Sequence, residues 1–197
     1  MKKPFFRIDP SLFLLPFLFW KMPPGDLLIF LSAVLLHEAG HLACASLLGY
    51  RTRGILLSLS GAKIFLFESL IPYKKEILIF LSGPLTNLLF CIPGFFLLRW
   101  HFTRMGVLFF FSHLLLALFN LLPLPGLDGE GALSSFLSLY LDPETRDEKM
   151  TKIRKITFVL FLLFALLFLI GGNNPSLFFL CFSLSEEKKT KKATNNS

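Results

Sequence analysis

The sequence predicts an all-α polytopic membrane protein of about six transmembrane helices, with a short interfacial β-hairpin between the second and third. Composition is the first reason: hydrophobic residues make up 54% of the 197 and charged residues only 17%, against about 25% charged in an ordinary soluble domain. Mean hydropathy is +0.65. The second is distribution, since the apolar residues, among them 25 Phe, gather into long runs separated by basic clusters. One soluble core of this size could not hide so much apolar surface, so the bilayer is the solvent. The same numbers exclude disorder and collagen-like structure.

Six apolar segments follow in order. The first, residues 11–20 and extending back toward Ile8, is short and interrupted by Pro16. Met1-Lys2-Lys3 opens like a signal peptide, but no small-residue cleavage site follows, so this segment reads as retained. Residues 26–48 form a full span, with Asp26 as N-cap and Gly49 as the stop. Residues 55–68 alternate around Ser60-Gly61 and read as the hairpin. A strand cannot face lipid with unpaired edges, so protein or water must partly cover it. Residues 77–98 are a third span, broken by Gly83-Pro84 and Pro93-Gly94. Residues 105–122 are a fourth, ending at Pro123 and Pro125. Residues 156–170 are a fifth, closed by Gly171-Gly172, and 176–184 a short sixth. Residues 1–185 read as a single domain and 186–197 as a basic cytoplasmic tail.

Charge orients these segments. With the N-terminus inside, only Lys21, Arg99 and Arg104 of the 20 basic residues fall outside. That asymmetry favours six crossings with both termini cytoplasmic in the cell membrane. The net charge of +7 marks cytoplasmic loops and attraction to anionic lipid rather than nucleic acid. Cys44, Cys91 and Cys181 are far apart in apolar runs and form no disulfide or C-x-x-C pattern.

Chemistry enters at His37-Glu38-Ala39-Gly40-His41. Helix positions four apart share a face, about 6 Å along the axis. Two imidazoles so placed can hold one zinc ion, leaving Glu38 turned aside to exchange protons with water. Three ionisable groups deep in an apolar span are costly unless paired or metal-bound. A third ligand is needed. Asp128 follows the Pro-Gly break after the fourth span, and the charge-derived topology puts it at the level of both histidines. It reads as the third ligand, with helix N-cap for residues 129–140 as the competing reading. Asn87 and Asn120 are further polar groups at depth. Either contacts substrate or a developing oxyanion, or cross-links helices by hydrogen bonds. His113, seven residues before Asn120, reads as a packed, hydrogen-bonded histidine.

HEAGH, SGPLTN and NLLPLPGLDG stand in that order between His37 and Gly129. Together they resemble the site-2 protease family of intramembrane zinc metalloproteases, closest to its stage IV sporulation FB branch. The resemblance implies that His37, His41 and Asp128 bind one zinc ion, that Glu38 is the catalytic acid/base, and that Asn120 lies near the site. It implies cleavage of a membrane-tethered protein, such as a sporulation transcription-factor precursor, near the cytoplasmic leaflet. A regulatory membrane partner fits the same picture. The branch usually carries a CBS domain after the last span, for which this sequence is expected to have no room; no PDZ domain is expected either. The chain departs again at Glu130, where the family commonly has Gly, a change that either restricts the turn or adds charge near the metal. The alternative from another class is a metal transporter or channel using the same histidines, which would tolerate Glu38→Gln.

Overall fold

The computed structural model describes residues 5–10, 22–58, 61–67, 70–100 and 102–172. The described elements are β1 (Phe5–Ile8), α1 (Pro24–Leu47), β2 (Thr52–Ser58), β3 (Gly61–Leu66), α2 (Tyr73–Trp100), α3 (Arg104–Asn120), α4 (Asp128–Leu137) and α5 (Pro143–Gly172). The first and sixth apolar segments and the tail 186–197 lie outside the described residues.

α1 and α2 are long and apolar enough to cross a membrane, and α3 is a shorter apolar helix. Only 22% of the most apolar window of α1, and likewise of α2, is buried. The core helix of a soluble protein would be largely covered. Here Leu28, Leu35, Leu85 and Leu89 point outward, an arrangement that suits lipid. The described residues therefore contain two candidate spans and one shorter apolar helix; six crossings remain an expectation.

α2 is the central helix and packs against α1, α3 and α4. Its proline positions correct the sequence reading: Pro84 and Pro93 lie inside one unbroken helix. A proline lacks the N–H that the carbonyl four residues back would use, and elsewhere this kinks or ends a helix. Here neighbouring helices hold the backbone in place. The glycine beside each proline serves close packing instead. A Cβ at Gly94 would come within 3.2 Å of the Phe110 Cα. On α1, a Cβ at Gly40 would come within 2.8 Å of the Ser82 carbonyl oxygen. Small residues at such contacts let apolar helices approach when no water is present to drive them together.

Asp26 is a second correction. The helix begins earlier than expected, with Pro23 as N-cap and no side-chain cap. The buried Asp26 carboxylate instead pairs with Arg104, the first residue of α3. The pair joins the N-terminal ends of α1 and α3, so the two helices run the same way and end on the same side. Gly49 closes α1 as expected, at φ 85°, where a side chain would be strained.

The hairpin between α1 and α2 is present as β2 and β3, but it belongs to a three-stranded sheet. β1 pairs parallel with β2, Phe5 opposite Gly54, and β3 pairs antiparallel with β2. The ring of Phe5 lies over Gly54, where any Cβ would collide with it. Sequence reading missed β1 because four residues, Phe5-Phe6-Arg7-Ile8, carry too little alternation to declare a strand.

α4 and α5 complete the described fold. Leu124 and Leu127, in the loop before α4, form a small core with Phe119, Leu122, Phe158 and Phe161. Phe158 and Phe161 come from α5, so this last described helix docks beside the loop that leads into Asp128.

Candidate metal centre

His37 and His41 lie one turn apart in the second half of α1, both buried. Because α1 and α3 run the same way, the loop leaving α3 returns Asp128 to their level. Among the described residues, one cluster of three potential ligands forms. Its ligand atoms all lie within 4.8 Å of one another, and its members are His37, His41 and Asp128. Asp128 Oδ2 is 2.9 Å from His37 Nε2 and 3.2 Å from His41 Nε2. The two Nε2 atoms are 3.2 Å apart.

The donor set fits a zinc ion. Two imidazole nitrogens and one carboxylate oxygen make a three-ligand site that leaves a fourth position open for water or substrate. The outer hydrogen bond of His41 agrees. His41 Nδ1 donates to the Ile79 carbonyl oxygen at 2.7 Å, which directs its Nε2 lone pair at the cluster. Position 83 agrees as well. A Cβ there would lie 2.8 Å from His37 Nε2 and nearer still to His41 Nε2. Glycine leaves free the volume between the rings and α2.

Asp128 is the first residue of α4, and the N-cap is Leu127. The competing capping role is therefore not the one adopted, and the carboxylate faces the two imidazoles. Gly129 permits this because a Cβ there would meet the Leu122 carbonyl oxygen at 2.8 Å. Gly126, at φ 89°, supplies the preceding turn. Glu38 is half-buried, about 100° around the helix from His37.

The two asparagines separate in role. Asn87 is fully buried and spends both ends of its amide on imidazoles: Nδ2 lies 3.2 Å from His37 Nδ1, and Oδ1 lies 3.1 Å from His113 Nδ1. That is the cross-linking alternative, and it reaches the ligand set directly. Asn120 donates to the Leu116 carbonyl oxygen of its own helix at 3.0 Å, and no described contact joins it to the cluster.

Glu130 answers the question its presence raised. Its Oε2 accepts from the Gly126 N–H at 2.8 Å, and its Oε1 pairs with Arg154 of α5 at 2.5 Å. The charge is matched, and the side chain ties the loop, α4 and α5 together. Sequence reading missed this tie because the partners are 24 residues apart on different helices. The Ser135 hydroxyl donates to Glu76 at 2.8 Å and similarly links α4 to α2.

Fold and site together define a class: a helical chain with lipid-suited spans, a small sheet at one end, and a buried His-His-Asp cluster between helices. The fold is similar to that of the site-2 protease from Methanocaldococcus jannaschii, at a TM-score of 0.66 and 23% sequence identity, over 91% of this chain and 85% of that one. No protein-family model matches the chain, and no curated protein does either.

Proposed function

We propose that the chain is an intramembrane zinc metalloendopeptidase, with His37, His41 and Asp128 as metal ligands and Glu38 as catalytic acid/base. The observation that carries this reading is the convergence of two imidazoles and a carboxylate from a distant loop within 4.8 Å, next to a glutamate, inside apolar helices. Buried ionisable groups in such helices call for a functional account. A zinc ion held there would polarise a peptide carbonyl and make nearby water more acidic. Glu38 then takes the proton from the attacking water and delivers it to the leaving amine. Asn120, at the end of α3, is a candidate contact for substrate or the developing oxyanion.

The substrate class is a membrane-associated or single-span precursor protein, with sporulation transcription-factor precursors as the first candidates. An intact helix offers no free backbone to attack, so the substrate must unwind or arrive as a strand. β1 and β3 are the edges of the sheet, and strand addition to an edge would present an extended segment. The proposed setting is a multi-pass position in the cell membrane, with both termini and the sheet on the cytoplasmic side and with a regulatory membrane partner. The basic-residue asymmetry supports the orientation, as does the parallel course of α1 and α3.

Co-expression with candidate single-span precursors tests the proposal. The wild type cleaves one of them. Glu38→Gln retains zinc but loses cleavage by about 10²-fold or more, and Asp128→Ala loses both. Cleavage that persists in Glu38→Gln sinks the acid/base role of Glu38. Metal flux that survives the same substitution replaces the hydrolytic reading with transport.

A further inference from the structure

We propose that His113 is a positioning residue for His37, acting through Asn87 in a hydrogen-bond relay whose tautomers exchange when a cation binds. The inference rests on the metal reading of His37, His41 and Asp128 and adds a group outside that set. His113 and Asn87 are both 0% exposed. The His113 ring is stacked on Phe90 at 5.3 Å and tilted against Phe109 at 4.5 Å. Among the described residues its Nε2 has no hydrogen-bond partner, while its Nδ1 faces Asn87.

The chemistry follows from counting donors. A neutral imidazole has one N–H and one lone pair, and an amide has an NH2 at one end and an oxygen at the other. With the amide as it lies, Asn87 Nδ2 donates to His37 Nδ1 and Asn87 Oδ1 accepts from His113 Nδ1–H. The His37 proton is then on Nε2, facing Asp128 at 2.9 Å. A cation on His37 Nε2 requires the reverse. The proton moves to Nδ1, which becomes a donor and needs the amide oxygen. A half-turn of the amide supplies that oxygen and directs the NH2 at His113 Nδ1, which must now be a lone pair. The His113 proton moves to Nε2. Each ring carries one proton before and after, so no net charge changes in the apolar interior.

The last step has a cost. A bare Nε2 lone pair among phenylalanine rings costs less than an N–H there without an acceptor. His113 therefore favours the arrangement with the proton on His37 Nε2 and weakens metal binding. His113→Asn would place an amide at the reach of Nδ1 and satisfy Asn87 in either orientation.

The test uses the full chain in lipid nanodiscs, labelled with ¹⁵N-histidine; four histidines are present, and His113→Asn assigns the signal. Without zinc, His113 shows protonation at Nδ1; at one equivalent of zinc it shows protonation at Nε2. In a chelator competition, His113→Asn binds zinc about 10-fold more tightly, the scale of one unsatisfied buried N–H. If zinc shifts the His37 and His41 signals but leaves the His113 tautomer unchanged, the relay is wrong and the metal centre stands. If zinc shifts none of the three, the metal centre falls and the relay with it. Should His113→Asn not fold, replacing His37, His41 and His101 in turn assigns the His113 signal by elimination, and the wild-type spectra then decide the matter.

Discussion

Replacing Gly83 with Ala should sharply weaken metal binding at the proposed centre while leaving most of the fold intact. The added methyl would lie 2.8 Å from His37 Nε2 and closer to His41 Nε2. Ordinary contact between such atoms begins at about 3.5 Å, so the His37 ring must retreat by about 0.7 Å and the His41 ring by more. Zinc–nitrogen bonds hold to about 2.0–2.1 Å with a tolerance near 0.2 Å. The displacement is more than three times that tolerance and exceeds the roughly 0.5 Å within which a working site must be held. Zinc affinity should fall by about 100-fold or more, as read by chelator competition. Gly94→Ala is the control. It lies on the same helix and also adds a tight contact, at 3.2 Å to Phe109 and Phe110, but away from the cluster. It should lower thermal stability and leave zinc affinity within about threefold of wild type. Wild-type zinc affinity in Gly83→Ala would refute the assignment of that volume to the ligand rings.

Two further outcomes follow from interactions outside the ligand set. Glu130→Gln should destabilise the chain by about 2 kcal/mol in detergent unfolding, because it leaves the Arg154 charge partly buried and uncompensated. A double-mutant cycle with Arg154→Met should recover much of that loss, and full additivity would deny the coupling. At the start of α5, the Thr145 N–H bonded to Asp142 holds that carboxyl below its ordinary value near 3.8. Since the folded value is the lower one, the stabilisation is complete above the unfolded value and disappears as pH falls through the folded value. Protection from hydrogen exchange in the first turn of α5, taken relative to the intrinsic rate at each pH, should therefore fall in acid. Asp142→Asn, which still caps but cannot titrate, should remove that dependence.

Much of this protein was legible from residue order because its strongest signals are local or compositional. Long apolar runs, a pair of histidines four apart and a Pro-Gly break before Asp128 each declare themselves within a few residues. The basic-residue count also implied that the second and fourth spans run the same way, and the Asp26–Arg104 pair joins matching ends of α1 and α3. What failed was the reading of elements whose meaning depends on a neighbour. Gly83-Pro84 looked like a break, yet α2 passes through it, and the glycine matters for the rings opposite. Asp26 looked like a cap, yet its partner is 78 residues away.

Sequence alone determined the apolar character, the helical class, the hairpin and the identity of the three side chains that converge, because hydrophobic period and histidine spacing are written along the chain. Only tertiary structure decided that β1 completes a sheet, that Asn87 joins His37 to His113, and that Glu130 is matched by Arg154. Those facts are distances between side chains on separate elements, and such distances exist only once the helices have packed.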